Sequence, residues 1–263
     1  MNKKIGIIGG TGLYHLPNLR QLRQEQYQTP FGAVQLSIGE VADATVAFLT
    51  RHGQHHSLAP GDINFRANIW ALKEFGAKNI LATACSGSMN PNYSVGDFVL
   101  LSQFIEFTKN RPARFFEGDS TKPLQHIDYS EPYCKTIGTY VKQASDALGL
   151  CVKDGATYCC TQGPRFETKA EIRMLRLVGG DLVGHTNYPE VVLAREAGMC
   201  YAALAIVSNM AAGYSEQPIT AEEVQTVMSQ RFAQLQALLE KTIALLPAQA
   251  DCECRHAADK ALL

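Results

Sequence analysis

Short apolar segments rich in β-forming residues alternate along this chain with segments of helical periodicity. The pattern predicts strands over residues 4–8, 44–49, 79–84, 97–101, 156–160 and 200–208. Helices are predicted over residues 63–75 and 189–197, and each is followed by a glycine that can end it. Because strands and helices that alternate in this way build a sheet covered by helices, the sequence predicts an α/β sandwich.

Two further helices are indicated by capping boxes. Thr168 is followed by Glu171, and Thr220 by Glu223, and in both cases apolar residues come next at helical spacing. No internal repeat, and no linker rich in Pro, Gly or Ser, divides the chain before about residue 247. We therefore expect one domain over residues 1–246 and a polar tail over residues 247–263.

The composition argues against several classes of function. The chain has 24 Lys and Arg residues and 25 Asp and Glu residues, so its charge offers no basis for binding nucleic acid or an anionic membrane. Its longest apolar run, residues 199–207, is far shorter than the roughly 20 residues that cross a bilayer. The cysteines are too sparse for a disulfide scaffold, and those up to Cys200 lack zinc-ligand spacing. We expect a reducing, cytoplasmic environment.

The first predicted strand ends in the glycine-rich segment Gly9-Gly10-Thr11-Gly12. Glycines let the backbone approach an anion, and the threonine hydroxyl adds a hydrogen bond. A tight turn with no ligand is an equally good interpretation of this segment alone. A dinucleotide fingerprint would need a third glycine where His15 stands and an acidic residue after the second strand, so a nicotinamide-dependent oxidoreductase is disfavoured.

Two other strand ends carry polar or small residues. The segment from Thr50 to His56 contains Arg51 and three histidines, a set that suits an oxyanion better than a metal, with a solvated basic loop as the alternative. The segment from Thr83 to Ser88 can present backbone N–H groups to an anion at the same sheet edge. Its Cys85 is interpreted as a small buried residue rather than a nucleophile, since no dedicated base is identifiable.

Five motifs occur together in one order along residues 5–208. They are Gly9-Gly10-Thr11-Gly12, Arg51-His52-Gly53, Asn64-Phe65-Arg66-Ala67-Asn68-Ile69-Trp70, Gly163-Pro164-Arg165-Phe166-Glu167-Thr168 and Pro189-Glu190-Val191. With this set the chain resembles the trimeric purine nucleoside phosphorylase and methylthioadenosine phosphorylase family. The resemblance implies a single-domain three-layer α/β sandwich with a central mixed, partly barrel-like sheet flanked by helices.

The resemblance also implies a reaction. In the family, inorganic phosphate attacks the anomeric carbon of a nucleoside, which releases a purine base and a sugar 1-phosphate without a cofactor or a metal. The implied phosphate contacts are Thr11, Arg51, His52, Thr186 and the backbone at Cys85. Ala84 departs from the methylthioadenosine enzymes, which carry Thr there, so one hydroxyl contact to phosphate is expected to be missing.

The residues of the purine site separate the two branches of the family. A 6-oxopurine presents an N1–H donor and a 6-aminopurine an N1 acceptor, so a carboxylate facing N1 favours the former. Glu167 stands where nucleoside phosphorylases carry that carboxylate, and Asn209 and Ala211 replace two Asp residues of adenine-specific members. Without the resemblance, Glu167 would be interpreted as an acidic residue near a helix N-terminus.

The implied catalytic residues are Asn209, Glu167 and His52. Asn209 would stabilise N7 of the departing purine, Glu167 would orient the ring, and Phe166 would form an aromatic wall, with ordinary core packing as the alternative for Phe166. On the sugar side stand His185, where both branches usually have Met, and Tyr188, where they usually have Val. His126 lies in a segment that resembles one reaching a neighbouring subunit's site, which implies a homotrimer or a dimer of trimers.

These observations predict a phosphorylase of 6-oxopurine nucleosides, with inosine, guanosine and 5′-methylthioinosine as candidate substrates. No histidine occurs between Tyr214 and Cys254, where the mammalian-type enzymes place one for the 5′-hydroxyl. The alternatives are a methylthioadenosine phosphorylase and a catalytically silent nucleoside-binding protein. The Cys252-x-Cys254 pair resembles one that is oxidised in some thermophilic relatives, but here two free surface thiols are expected.

Overall fold

A mixed sheet of nine strands lies at the centre of the part of the chain that this computed structural model describes, residues 3–16, 18–53, 57–116, 125–214, 218–248, 252–259 and 261. The strands are β1 (Lys3–Gly9), β2 (Arg20–Thr29), β3 (Gly32–Val41), β4 (Ala44–Thr50), β5 (Asn79–Ser88), β6 (Phe98–Phe107), β7 (Val152–Thr161), β8 (Leu182–Gly184) and β9 (Cys200–Met210). The helices are α1 (Phe65–Phe75), α2 (Lys135–Ala147), α3 (Lys169–Leu177), α4 (Asn187–Glu196) and α5 (Ala221–Leu245), followed by a 3₁₀ turn, Glu253–His256.

One end of the sheet closes on itself. The strand order is β2-β3-β4-β1-β5-β8-β7-β6-β9, and β5 pairs additionally with β9. Strands β5, β8, β7, β6 and β9 therefore form a closed ring, from which β1, β4, β3 and β2 extend as an open sheet. Parallel and antiparallel pairs both occur. The predicted mixed, partly barrel-like sheet is confirmed.

Helices cover both faces of this sheet. Ile5 and Ile7 of β1 lie in an apolar cluster with residues of α2 and α5, whereas Ile8 lies in a second cluster with residues of α1 and α4. Successive side chains of a strand point to opposite faces, so one apolar strand supplies both cores. The predicted three-layer sandwich is confirmed.

All six predicted strands are present, but β2, β3, β8 and α2 were not predicted. Strand β2 forms an edge hairpin with β3 and is exposed over most of its length. It therefore needs no apolar face, and its sequence has no alternation to detect. Strand β3 does bury Val34, Leu36 and Ile38 on one face, so its alternation was a signal that could have been used.

The predicted N-caps also occur. The Thr168 hydroxyl accepts from the Glu171 N–H at 3.1 Å, and the Glu171 carboxylate accepts from the Thr168 N–H at 2.7 Å. Thr220 accepts from the Glu223 N–H at 3.1 Å. These caps start α3 and α5, and the residues that begin α5 form part of the cavity described below.

The C-terminal segment packs against the body of the protein over its described residues. Cys254 and Ala261 are buried, and the Ala261 carbonyl accepts a hydrogen bond of 2.9 Å from the His126 N–H. The expectation that Cys254 is a surface thiol is therefore wrong, because the 3₁₀ turn carries this side chain into the α2 and α5 core. In the described residues, no helix combines the length and the apolarity needed to span a membrane.

The sheet topology brings the predicted motifs to one edge. Strands β4, β1, β5 and β9 are parallel neighbours, so their carboxyl ends face the same way. Thr11 follows β1, Arg51 follows β4, and Cys85 and Asn209 lie near the ends of β5 and β9. The crevice outside such strand ends is where α/β sheets bind ligands.

Candidate active site

A cavity of about 420 Å³ lies at this edge of the sheet. Its volume is in the range of small-molecule binding sites. The predicted site residues that line it are Thr11, Arg51, His52, Cys85, Phe166, Glu167, His185, Thr186 and Asn209. The structure thus brings together residues that are spread over nearly 200 positions of sequence. The predicted site residue His126 is not among the described residues that line this cavity.

Arg51 is fixed by a fully buried ion pair with Glu190. Its Nε and Nη2 donate to the two Glu190 carboxylate oxygens at 2.7 and 2.8 Å, and its Nη1 donates to the Thr83 carbonyl at 2.7 Å. The Tyr201 hydroxyl donates to Glu190 at 2.7 Å. These bonds use three of the five guanidinium N–H groups, which leaves two for an anion in the cavity.

Gly10 shows why the first motif needs a glycine. A Cβ atom at this position would stand 2.8 Å from Nη1 of Arg51 and 2.9 Å from the Thr83 carbonyl oxygen. The Gly10 N–H donates to the Thr83 hydroxyl at 3.0 Å. The backbone after β1 therefore packs directly on the guanidinium, and Thr11 enters the cavity beside it.

Three further residues of the predicted anion site line the cavity. His52 is buried, and its Nδ1 lies 3.0 Å from the Leu58 carbonyl oxygen, so Nδ1 carries the proton. Thr186 precedes α4, and its hydroxyl makes no capping bond to that helix. Burial raises the pKa of the Cys85 thiol to about 11, which agrees with its interpretation as a residue that is not a nucleophile.

The carboxylate of Glu167 also lines the cavity. Its Oε1 accepts from the Thr161 hydroxyl at 2.5 Å and lies 3.2 Å from Nε2 of His185. Burial raises the pKa of Glu167, but the hydrogen bonds from His185 and Thr161 outweigh it and hold the pKa below its usual value. Glu167 is therefore an ionised acceptor inside the cavity. Sequence analysis missed its contact with His185.

Asn209 is aimed by an irregularity in the sheet. In the β5–β9 pairing, Ser86 lies opposite Val207 and Gly87 opposite Asn209, so Ser208 is an extra residue in β9. Such a bulge redirects the side chains next to it. The Ser208 hydroxyl donates to Oδ1 of Asn209 at 2.7 Å, and Nδ2 of Asn209 donates to the Met210 carbonyl at 3.0 Å. The amide is thereby held in one orientation.

Phe166 has 43% of its surface exposed and lines the cavity. The alternative that Phe166 is an ordinary core residue is therefore wrong. An exposed aromatic ring at a cavity wall provides a flat apolar surface for a planar ligand.

A further part of the cavity wall comes from residues that sequence analysis did not assign. Ile219, Ala221 and Val224 at the start of α5 supply apolar surface, and Tyr14 and Gln225 supply polar groups. No motif marks these residues, because the start of α5 reaches the cavity through the packing of the helix on the sheet.

Arg111 organises the backbone behind the cavity. This buried side chain donates to the carbonyls of Gln162, His185 and Tyr188 at 2.8, 2.5 and 3.1 Å. It thus ties the end of β7 to the segment between β8 and α4. The ring of Tyr188 packs on Phe104, with the ring centres 5.7 Å apart.

Several predicted residues lie elsewhere. Ala84 is buried in the core. It carries no hydroxyl at the position where the methylthioadenosine enzymes have a threonine. The backbone of His126 bonds to Ala261, which leaves its contact with a neighbouring subunit a prediction. His55 and His56, which follow Arg51 and His52 in their motif, lie outside the described residues.

Comparisons with known proteins are consistent with this site. The model of the "Phosphorylase superfamily" matches residues 4–244. The "6-oxopurine nucleoside phosphorylase" of Pyrococcus furiosus is 46% identical over 258 residues, which are 97% of this chain and 97% of the relative. The "Probable S-methyl-5′-thioinosine phosphorylase" of Methanopyrus kandleri is 42% identical, with 98% of each chain covered.

A solved structure shares the fold over nearly the whole chain. It is the methylthioadenosine phosphorylase of Schistosoma mansoni in complex with adenine, which superposes with a TM-score of 0.92 at 32% identity and covers 98% of this chain and 97% of that chain.

The buried pair predicts an asymmetry in stability between two conservative changes. Glu190→Gln leaves the Arg51 charge buried without a counter-charge, so we expect it to lower the free energy of unfolding by about 3–5 kcal/mol. As a matched control, Asp154→Asn removes the exposed partner of Lys142 and should cost less than about 1 kcal/mol. Urea unfolding at one protein concentration measures both. Equal effects of the two substitutions would contradict the assigned role of the pair.

Proposed function

The chain belongs to the phosphorylase superfamily, and we propose that it is a purine nucleoside phosphorylase that cleaves 6-oxopurine nucleosides with inorganic phosphate. The products are the free base and a ribose 1-phosphate. The observation that carries the proposal is that the ionised Glu167 carboxylate and the Asn209 amide line one cavity together with Arg51 and His52. An acceptor for the base thus shares one cavity with donors for an anion.

At the anion side, phosphate would be held by positive charge and hydrogen-bond donors. Arg51 has two N–H groups beyond those that bind Glu190 and Thr83. Thr11 and Thr186 add hydroxyls, and the ring of His52 lines the same cavity. Because Glu190 holds the guanidinium rigid, phosphate meets a preorganised site and little rearrangement is needed. No cofactor is required for this step.

At the base side, the carboxylate of Glu167 accepts the N1–H of hypoxanthine or guanine. Asn209 lines the same cavity and would stabilise N7 as the glycosidic bond breaks and the purine gains negative charge. The sugar then develops oxocarbenium character next to the phosphate anion, so the reaction depends on positioning and electrostatics. Phe166 provides the apolar wall for the ring.

The same geometry disfavours the alternative of a methylthioadenosine phosphorylase. The N1 atom of adenine is an acceptor, and in front of Glu167 it would face a second acceptor with no proton between them. The carboxylate could gain that proton only at a cost, because its pKa is lowered in this site. The solved structures named as methylthioadenosine phosphorylases therefore resemble this chain in fold, whereas the base preference proposed for this chain differs from the one in their names.

The 5′ end of the substrate would lie against the start of α5. Ile219, Ala221 and Val224 offer apolar surface there, with Tyr14 and Gln225 next to it. Such a mixed surface accepts a methylthio group as well as a hydroxyl, so we include 5′-methylthioinosine among the substrates beside inosine and guanosine. We further propose a homotrimer in the cytoplasm, in which His126 completes the sugar site of a neighbouring subunit.

Purine release from five nucleosides tests the proposed reaction. Inosine, guanosine, 5′-methylthioinosine, adenosine and 5′-methylthioadenosine are each incubated with and without phosphate on one purified sample. We expect phosphate-dependent release from the three 6-oxopurines. Release from methylthioadenosine in their place would contradict the assignment of Glu167, and binding without release would favour a silent nucleoside-binding protein.

The double substitution Glu167→Gln with Asn209→Asp tests the base side. It removes the ionised acceptor for N1–H and changes the donor at N7, so we expect kcat/KM for inosine to fall by about 10²-fold or more while 6-aminopurines become relatively better substrates. The ratio of kcat/KM for inosine and adenosine is the measurement. An unchanged ratio would contradict the proposed recognition of the base.

The His185→Met substitution tests how the carboxylate is kept ionised. Without the His185 hydrogen bond, burial raises the pKa of Glu167 with less opposition. Activity is lost as the pH falls through the pKa of this carboxylate, so the acid limb of the kcat/KM profile for inosine should move to higher pH. The exposed His256 provides the control substitution His256→Met, which should leave the limb in place. An acid limb that also stays in place in His185→Met would refute this role of His185.

A further inference from the structure

Four cysteines from three separate parts of the chain converge at one point. Cys134 directly precedes α2, Cys200 begins β9, and Cys252 and Cys254 lie at the 3₁₀ turn near the C-terminus. Their Sγ atoms all lie within 4.8 Å of one another. Within the described residues, no other group of three or more His, Cys, Asp or Glu side chains converges in this way. None of the four cysteines lines the cavity of the proposed active site.

The spacing of these sulfur atoms fits tetrahedral coordination. A zinc–sulfur bond is about 2.3 Å long, so two sulfurs of a tetrahedral site lie about 3.8 Å apart. The Sγ atoms of Cys134 and Cys252 are 3.6 Å apart, and all four thiols are free of disulfide bonds. We propose that Cys134, Cys200, Cys252 and Cys254 bind one structural zinc ion.

The surroundings of the cluster favour thiolates over thiols. Cys134 is the N-cap residue of α2, where the helix dipole and free N–H groups stabilise negative charge. The Thr136 hydroxyl donates to Sγ of Cys252, and Nη2 of Arg195 donates to Sγ of Cys254, each at 3.8 Å. Donors to the ligand atoms are typical of zinc sites.

The chemistry of the site is balanced without any change of oxidation state. Zinc replaces four S–H protons, which are released to the solvent, and the resulting centre of four thiolates and Zn²⁺ carries two negative charges. The buried guanidinium of Arg195 offsets part of that charge. Formation of two disulfides from the same four thiols would instead need an oxidant that takes up four electrons.

Zinc in this position would fasten the C-terminal segment to the core. Cys252 and Cys254 follow the long helix α5, whereas Cys134 directly precedes α2 and Cys200 begins β9. One ion would join these parts across more than 100 positions of sequence. Because an ion that binds the folded state stabilises it, removal of zinc should lower the unfolding temperature.

Metal content of matched variants tests the proposal. The wild-type protein, Cys252→Ser with Cys254→Ser, and Cys151→Ser are purified under reducing conditions, supplied with zinc sulfate and freed of unbound metal. Cys151 is an exposed cysteine outside the cluster, so its variant is the control. Mass spectrometry of elemental zinc should give about one zinc ion per chain for the wild type and the control and none for the double variant.

Two further readouts keep the test independent of how well the double variant folds. Cobalt bound in place of zinc to the wild-type protein should give the absorption bands of a tetrahedral thiolate site. Cys254→His keeps a zinc ligand at this position and should restore zinc to at least half of the wild-type content, whereas Cys254→Ser should not.

Either of two results would overturn the zinc site. One is a wild-type chain that stays free of zinc while its four thiols react with a thiol reagent under denaturing conditions. The other is a denatured mass lower by four hydrogens, which would show two disulfides in place of a metal site. Both outcomes can be read from the protein alone, so they leave the proposed phosphorolysis untouched.

Discussion

The buried ion pair between Arg51 and Glu190 is the interaction on which the arrangement of the site depends. It joins the end of β4 to α4, and Tyr201 of β9 donates a third bond to the same carboxylate. Two charges removed from water require such complete pairing, because either one alone would carry a large desolvation cost. The pair therefore fixes the guanidinium in position before any anion enters.

The two carboxylates near the cavity show how environment assigns different roles to one side chain. Glu190 accepts three hydrogen bonds from Arg51 and Tyr201, so it serves to position other groups. Glu167 is held by the Thr161 hydroxyl and the His185 ring, both at Oε1. A carboxylate has about four acceptor positions, and those at Oε2 can still accept a proton donor from a purine ring. In the proposed function, specificity for a 6-oxopurine follows from this unused capacity of Glu167.

The sequence predicts the layers of the fold better than it predicts the partners of individual residues. Apolar periodicity identifies β1 and β9 because both are buried along their length, and it fails for β2 because an exposed edge strand needs no apolar face. Spacing along the chain cannot reveal that Glu190 pairs with Arg51, since the two are 139 positions apart. Spacing along the chain likewise cannot reveal the cysteine cluster, because three distant segments supply it.

The choice of base depends on side chains rather than on the fold. This chain and a methylthioadenosine phosphorylase superpose with a TM-score of 0.92, so the same backbone accommodates relatives named for different purines. The bulge at Ser208 delivers residue 209 to the cavity through backbone geometry, and that geometry does not depend on whether the residue is an amide or a carboxylate. In the proposed function, replacing the Asn209 amide by a carboxylate and removing the Glu167 carboxylate would change which purine edge is complementary. Substrate preference in such a fold can therefore change through a few substitutions that leave the sheet, the Arg51–Glu190 pair and the anion side intact.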